Sequence, residues 1–452
     1  MSLRATVEAP VGRLDLFDLH RAQPQRYPFL LQSVAGHPQS GRYDVLFAFP
    51  GASLVLKDGE LSGAVAEGDF FSSLDAWARR EKAPAAADGE LPFVGGWFLY
   101  LGYEAGQVVE PRVAMPSAGL PLPDALAVRC PAAVIRDRLE DRIYLVAEQD
   151  GAQIQQMQAD IETLLAQPLP APSAPQVTQL QADPPERFTE GVQRIIDYLR
   201  AGDVFQVNLS RAWRAELASS TGYQEIYDSL RRNNPAPFAG LMCWDEAVVV
   251  SSSPERLAQI DGQQVQTRPI AGTRPRGADD AEDLKRKTRL IENLKERAEH
   301  VMLIDLERND LGRVCEPGSV EVSELMTVES YAHVHHIVSN VRGRLRENAG
   351  PGSVLRAVFP GGTITGCPKV RAMQVIAELE GVGRGPYTGS MGYLNRDGRM
   401  DTNILIRSLA VADGQVTLRA GAGIVADSQP EFELREAAAK ARGLLLALGA
   451  SV

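Results

Sequence analysis

Strand-like and helix-like segments follow one another without regular alternation along this 452-residue chain, and that order narrows the fold more than any other feature. Residues 43–49 (YDVLFAF) and 133–148 (AVIRDRLEDRIYLVAE) have strand character, the second interrupted by a charged turn; 246–251 (EAVVVS) and 392–395 add later strands. Helical periodicity marks 152–165, 188–202 (stopped by Gly202), 281–306 and 430–448. A doubly wound nucleotide fold requires strand and helix to alternate, so a mixed α+β fold is expected instead. No internal repeat appears at any fixed period.

The clearest seam is 166–185, which holds QPLPAPSAP and then DPP. Prolines at that density favour extended chain and cannot donate to a ladder, which predicts a linker or surface crossing. It separates an N-terminal region, 1–165, from a C-terminal region, 186–452. With 44% hydrophobic and 23% charged residues the composition is that of a globular protein.

A net charge of −11 argues against a nucleic-acid partner, which selects a clustered basic face. Arg268, Arg274, Arg276, Arg308, Arg313, Arg371 and Arg407 are spread singly, a pattern that suits local pairing or capture of a small carboxylate substrate. Cys130, Cys243, Cys315 and Cys367 form no CxxC pair or metal-ligand spacing, in keeping with a reducing compartment. The first ten residues contain no apolar core of a leader, and no apolar run has membrane-spanning length; a cytoplasmic protein without a membrane partner is expected.

The segment 419–440 (RAGAGIVADSQPEFELREAAAK) is the richest in chemistry. Gly421 and Gly423 allow close backbone approach, and their N–H groups can cradle an anion. Ser428 to Glu431 has the form of a capping box with proline at the helix start. On the helix that follows, Glu433, Glu436 and Lys440 share a face. Two carboxylates there suit a divalent cation, whereas spacing alone favours a solvated face with a Glu436–Lys440 pair worth tenths of a kcal/mol. In 292–310, Glu299 and His300 lead into an apolar run, and Asp305, Arg308, Asn309 and Asp310 suggest a helix-terminal polar network.

The loops 359–369 (FPGGTITGCPK) and 384–392 (RGPYTGSMG) are rich in Gly, Pro and Thr, and Thr363, Thr365 and Lys369 are candidates for oxyanion binding. Phosphate-loop spacing is absent, which excludes that route to a nucleotide. In AHVHHIVSN, alternation puts His333 and His335 on one face and His336 on the other.

Together these segments resemble the chorismate-binding family shared by anthranilate, aminodeoxychorismate, isochorismate and salicylate synthases. The motifs are SSSPERL (251–257), RPIAGTRPRG (268–277), RAEHVMLIDLERNDLGRV (297–314), VHHIVSNVRG (334–343), FPGGTITGCPKVRAM (359–373), MDTNILIRSL (400–409) and AGAGIVADSQPEFE (420–433), in family order. The resemblance implies a large α/β sandwich of two packed antiparallel sheets with flanking helices. It implies Mg2+ held by Glu299 and Glu433 with Glu436, and Lys440 near the metal-bridged carboxylate. Chorismate's carboxylates are implied to bind Arg407, Tyr387 and the backbone of Gly421, Ala422 and Gly423. Glu255, Thr273, His336 and Thr363 match positions beside the reacting ring, and either Glu255 or His336 is placed to protonate the leaving hydroxyl.

The N-terminal stretches 28–50, 92–104 and 121–128 resemble the region carried by the two amidotransferase-coupled members. They imply amination, with ammonia drawn from glutamine by a separate glutamine amidotransferase subunit. Gly362, MDTN (400–403) and NPAPF (234–238) lean to the aminodeoxychorismate branch, which aminates C4 on the way to 4-aminobenzoate and folate. Ala271 departs from it: many such enzymes carry a nucleophilic lysine there, and a methyl group is no nucleophile. Anthranilate synthases, which aminate C2 and eliminate pyruvate, also have alanine at that place. Retained acids (Glu255, Glu299, Glu433, Glu436) speak against a non-catalytic scaffold. Ser33, Pro237 and Phe238 match a tryptophan pocket remote from the chemistry; core packing between the two halves is the alternative reading.

Overall fold

A computed structural model describes residues 3–7, 14–34, 41–84, 91–148, 150–277, 279–330 and 334–450. His333 lies outside them. The described strands form a twelve-stranded and an eleven-stranded sheet, paired antiparallel throughout. This is the α+β sandwich anticipated above.

Each sheet takes strands from both sides of the proline-rich seam. In the first sheet, Phe29–Gln32 pairs with Phe238–Trp244. In the second, Gly96–Leu101 pairs with Ser390–Asn395. Only the first part of the seam is linker: within 166–185, Val177–Ala182 forms a strand that pairs with Gln206–Leu217 at one end of the first sheet, because these six residues (VTQLQA) contain no proline and can supply ladder donors.

Alternation in these strands turns one set of side chains inward. Phe29 from one sheet and Phe98 from the other stack with ring centroids 4.2 Å apart, within a core that includes Phe47, Met242, Val249, Met391 and Leu405. The outer face of the first sheet is covered by Leu16–Ala22, Gly151–Ala166, Tyr223–Asn233 and Pro430–Ala447. The second is covered by Phe70–Arg80, Leu294–Gly312 and Pro351–Val358.

The long helix predicted over 281–306 is two helices, Asp280–Glu292 and Leu294–Gly312. Asn293 breaks it by taking an extended conformation (φ −70°, ψ 108°), and its side-chain oxygen accepts from the Glu296 amide at 3.2 Å. The capping box expected at Ser428 is also absent. Gln429 occupies the cap position without a side-chain bond, Pro430 begins the helix, and the Ser428 hydroxyl instead accepts from the Val425 amide at 3.1 Å. All four cysteines are free thiols, and no helix among the described residues is long and apolar enough to cross a membrane.

Candidate active site

Two neighbouring chain segments pass from one sheet to the other, and each delivers a charged side chain. Ala247–Ser253 lies in the first sheet and Arg256–Asp261 in the second, with Pro254 and Glu255 as the link. Met400–Asn403 and Ser408–Ala412 make the same passage in reverse, and Arg407 ends that link. The links are tied together: the Ile404 amide donates to the Glu255 carbonyl at 3.0 Å, and the Ser252 amide donates to the Arg407 carbonyl at 3.1 Å. Arg407 sits at φ +52°. That left-handed conformation costs a non-glycine residue about 1–2 kcal/mol and belongs to the class of strain found at ligand sites.

Glu255 is 4% exposed. Its Oε1 accepts from the Thr363 hydroxyl at 2.9 Å and from the Ile270 amide at 3.3 Å. Burial pushes this carboxyl up to about 8, and those two hydrogen bonds with the Arg407 charge offset only part of it. Glu255 therefore carries a proton at neutral pH. His336 is buried opposite Thr273 on adjacent strands. Burial, then the Arg407 charge, lowers its imidazolium to about 3, so it stays neutral and has no proton to give. The Thr273 side chain lies outside what is described; Ala271 is half-buried opposite Ile337.

The Arg407 guanidinium is half-buried and donates no hydrogen bond to, and forms no ion pair with, any described residue. Burial lowers its pKa. A desolvated cation without a partner is costly, so this geometry suits an anionic ligand.

Facing strands supply the other wall. Gln415–Ile424 pairs along its whole length with Gln206–Leu217, but Ser408–Ala412 pairs only with residues 415–418 on its other edge. Beyond Leu418, that edge, which includes Gly421, Ala422 and Gly423, has no partner strand, leaving alternate N–H groups for a ligand. Behind it lies a buried ion network that sequence reading missed. Glu380 is bound by Arg384 and Arg419, each at 2.7 Å, and by the Ser210 hydroxyl at 2.8 Å. Although burial alone raises a carboxyl, the two guanidiniums hold Glu380 below the usual range. The Arg384 guanidinium lies over the rings of Tyr103 and Tyr387, at 4.8 and 5.5 Å, fixing the Tyr387 ring. The Arg419 charge also acts on Asp183, so the two cations are shared between two carboxylates. Glu380 ends the helix Lys369–Glu380, Arg384 lies in the loop beyond it and Arg419 comes from a distant strand, so no periodicity pointed to the network.

The chorismate-binding enzyme model matches residues 28–446. Anthranilate synthase component 1 of Thermus thermophilus is 41% identical over 98% of this chain and 96% of its own. Aminodeoxychorismate synthase component 1 of Bacillus subtilis is 37% identical over 94% of this chain and 93% of its own. This chain belongs to the chorismate-binding enzyme family. Among solved structures, anthranilate synthase component I of Streptococcus pneumoniae superposes with a TM-score of 0.77 at 32% identity, covering 90% of this chain and 93% of that one. A menaquinone-specific isochorismate synthase of Escherichia coli shares the fold, with a TM-score of 0.74 at 21% identity, covering 99% and 94%.

In this chorismate-binding chain the acidic candidates come from two helices. Glu433 is buried in the first turn of Pro430–Ala447, and Glu436 pairs with Lys440 at 2.8 Å, both half-exposed. Glu299 lies on Leu294–Gly312 beside His300, whose Nε2 contacts the Ser339 hydroxyl at 2.7 Å. Among the described residues, no three His, Cys, Asp or Glu side chains form a preformed metal cage. The donors are nonetheless carboxylate oxygens, the type Mg2+ accepts in small number alongside substrate and water.

Two of the three oxyanion candidates are engaged elsewhere. Lys369 is neutralised by Asp310 at 2.5 Å, and the Thr365 hydroxyl donates to the Gly361 carbonyl at 2.8 Å. Of the four expected in a polar network at the terminus of Leu294–Gly312, Asp305 and Arg308 form an exposed pair, while Asp310 is buried against that lysine.

Ser33, Pro237 and Phe238 meet around a cavity of about 400 Å3 between the sheets, with Arg256, Tyr393 and Met391. The Ser33 hydroxyl donates to the Pro237 carbonyl at 2.9 Å, and Arg256, paired with Asp401 at 2.8 Å, lies 5.2 Å over the Phe238 ring. The volume falls in the range of small-molecule sites.

Proposed function

We propose that this chain aminates chorismate at C4, with ammonia supplied by a separate glutamine amidotransferase subunit and Glu255 as the acid. The observation that carries the acid assignment is the buried, proton-bearing Glu255 beside a neutral His336. Arg407 takes one substrate carboxylate; the open edge at Gly421–Gly423 and Tyr387 take the other.

In the reaction the C4–O bond breaks as Glu255 passes its proton to the departing oxygen, which leaves as water. Ammonia forms the new C–N bond and yields a proton, which restores Glu255. Acid assistance of this kind contributes about 10²–10⁴-fold. Glu299, Glu433 and Glu436 are the carboxylates that would hold Mg2+, and the ion would neutralise charge on the substrate carboxylate it meets.

The C4 position is supported by Gly362. Anthranilate synthases usually carry alanine at this place; a Cβ here would stand 2.5 Å from the end of the Leu306 side chain, which would have to turn aside. A second reading, C2 amination to anthranilate, is favoured by Ala271, which offers no nucleophile, and by the relatives that carry that name. Incubation with chorismate, Mg2+ and an ammonium salt, with products resolved by chromatography, separates the two. Aminodeoxychorismate is expected; anthranilate as sole product would overturn the C4 assignment.

A further inference from the structure

A second buried carboxyl stands behind Glu255. Glu307, on the helix Leu294–Gly312, is 6% exposed, and its Oε1 lies 3.3 Å from where a Cβ on Gly362 would be. The next residue, Thr363, gives its hydroxyl proton to Glu255 at 2.9 Å. The short turn Gly362–Ile364 therefore touches one acid with Gly362 and the other with Thr363. Glycine keeps this contact close without displacing a neighbour, since a Cβ would meet the end of the Leu306 side chain at 2.5 Å.

The charges around the pair are few. On the Glu307 side, Asp310 and Lys369 form a buried ion pair at 2.5 Å, and Lys369 also donates to the Val358 carbonyl at 3.2 Å. Asp310 opposes the effect of Lys369 on Glu307, and Arg313 faces Asp310 from beyond. On the Glu255 side Arg407 is the facing cation, and neutral His336 adds no charge. Burial raises both carboxyls, and each is raised further by a neighbouring acid: Glu307 by Asp310, Glu255 by Glu307. Two acids in one dry space do not ionise independently; a charge on either holds the proton on the other.

We propose that Glu307 is a positioning residue for the amination, whose carboxyl across the Gly362–Thr363 turn keeps a proton on Glu255. The proposal rests on Glu255 being the acid. A merely structural Glu307 would brace the turn and leave the titration of Glu255 where it is.

The test is the pH dependence of chorismate turnover with ammonium salt, compared among the unaltered protein, Glu307→Gln and Glu307→Asp. Alongside it, the infrared carbonyl band of protonated glutamic acid is followed as pH rises, with Glu255→Gln identifying the part due to Glu255. In Glu307→Gln the alkaline limb of the rate and the loss of the Glu255 band are expected to move together to lower pH, by about one unit. Glu307→Asp, which keeps a charge but withdraws it by one methylene, is expected to move them less. It also serves alone should the glutamine variant fail to fold. An unmoved limb and band in these variants would overturn the role of Glu307. Full turnover in Glu255→Gln would instead overturn the acid assignment, while the band would still report whether Glu307 acts on Glu255.

Discussion

Glu255 and Arg407 occupy adjacent sheet-to-sheet links, and backbone hydrogen bonds of 3.0 and 3.1 Å tie those links together. An acid and an unpaired cation are thereby held on backbone that two sheets constrain, which is the rigidity a site needs to act on a small anion.

Replacing Glu255 by glutamine should cost about 10²–10⁴-fold in kcat. It should also stabilise the fold at neutral pH. Glutamate is raised in the folded protein from 4.5 to about 8, so between those pH values the folded state binds a proton that the unfolded state has released. Stability from the neutral acid is complete below that window and is lost as pH rises through it, by about 1.4 kcal/mol per pH unit. Glutamine has nothing to titrate, so its advantage should grow to about 3 kcal/mol at pH 7. Urea unfolding of both proteins across that range measures it; a constant difference would contradict the burial of a protonated Glu255.

Arg407→Lys keeps the charge and loses the planar fork. Loss of a charge-assisted contact of about 1.5–3 kcal/mol should raise the KM for chorismate by about 10–100-fold. Steady-state kinetics check this. In Arg407→Gln the unfolding midpoint should not fall, because that guanidinium donates no hydrogen bond to a described residue and the Glu255 beside it is protonated.

Arg384→Met leaves Glu380 buried with one cation and removes the plane on which Tyr387 rests. Destabilisation of about 3–5 kcal/mol is expected, as for other broken buried pairs. Equilibrium unfolding tests it, and a loss near zero would mean that the network relaxes to readmit water.

Glu433→Gln should abolish turnover at ordinary magnesium concentrations and raise the concentration giving half-maximal binding by about tenfold or more. Calorimetric titration of magnesium reads this without relying on activity.

Tryptophan is expected to bind saturably in the cavity of about 400 Å3 at Ser33, Pro237 and Phe238. Ser33→Leu should fill the space and remove the binding, as read by calorimetry. No heat with the unaltered protein would mean that the cavity is a packing void.

Much of the local structure was legible from residue order. Gly202 ends its helix in the left-handed conformation at φ +82°, and the charged turn in 133–148 separates Ala132–Asp137 from Arg142–Ala147. The break at Asn293 was not legible, because apolar periodicity continues through it. Neither was the fate of Lys369, whose partner Asp310 lies on another helix.

From the sequence alone came the α+β class and the motif residues Glu255, His336, Arg407 and Gly421–Gly423. Residue order carries the fold class and residue chemistry the glycine pair, whereas Glu255, His336 and Arg407 were named by the resemblance of their motifs to the chorismate-binding family. Only the tertiary structure sets Glu255 and His336 apart in their affinity for a proton, because burial raises a carboxyl and lowers an imidazolium, and burial depends on everything packed around them. It likewise decided that Glu307 shares a turn with Glu255, and that Arg384 and Arg419 converge on Glu380. Those contacts join segments far apart in the chain, where no periodicity reaches.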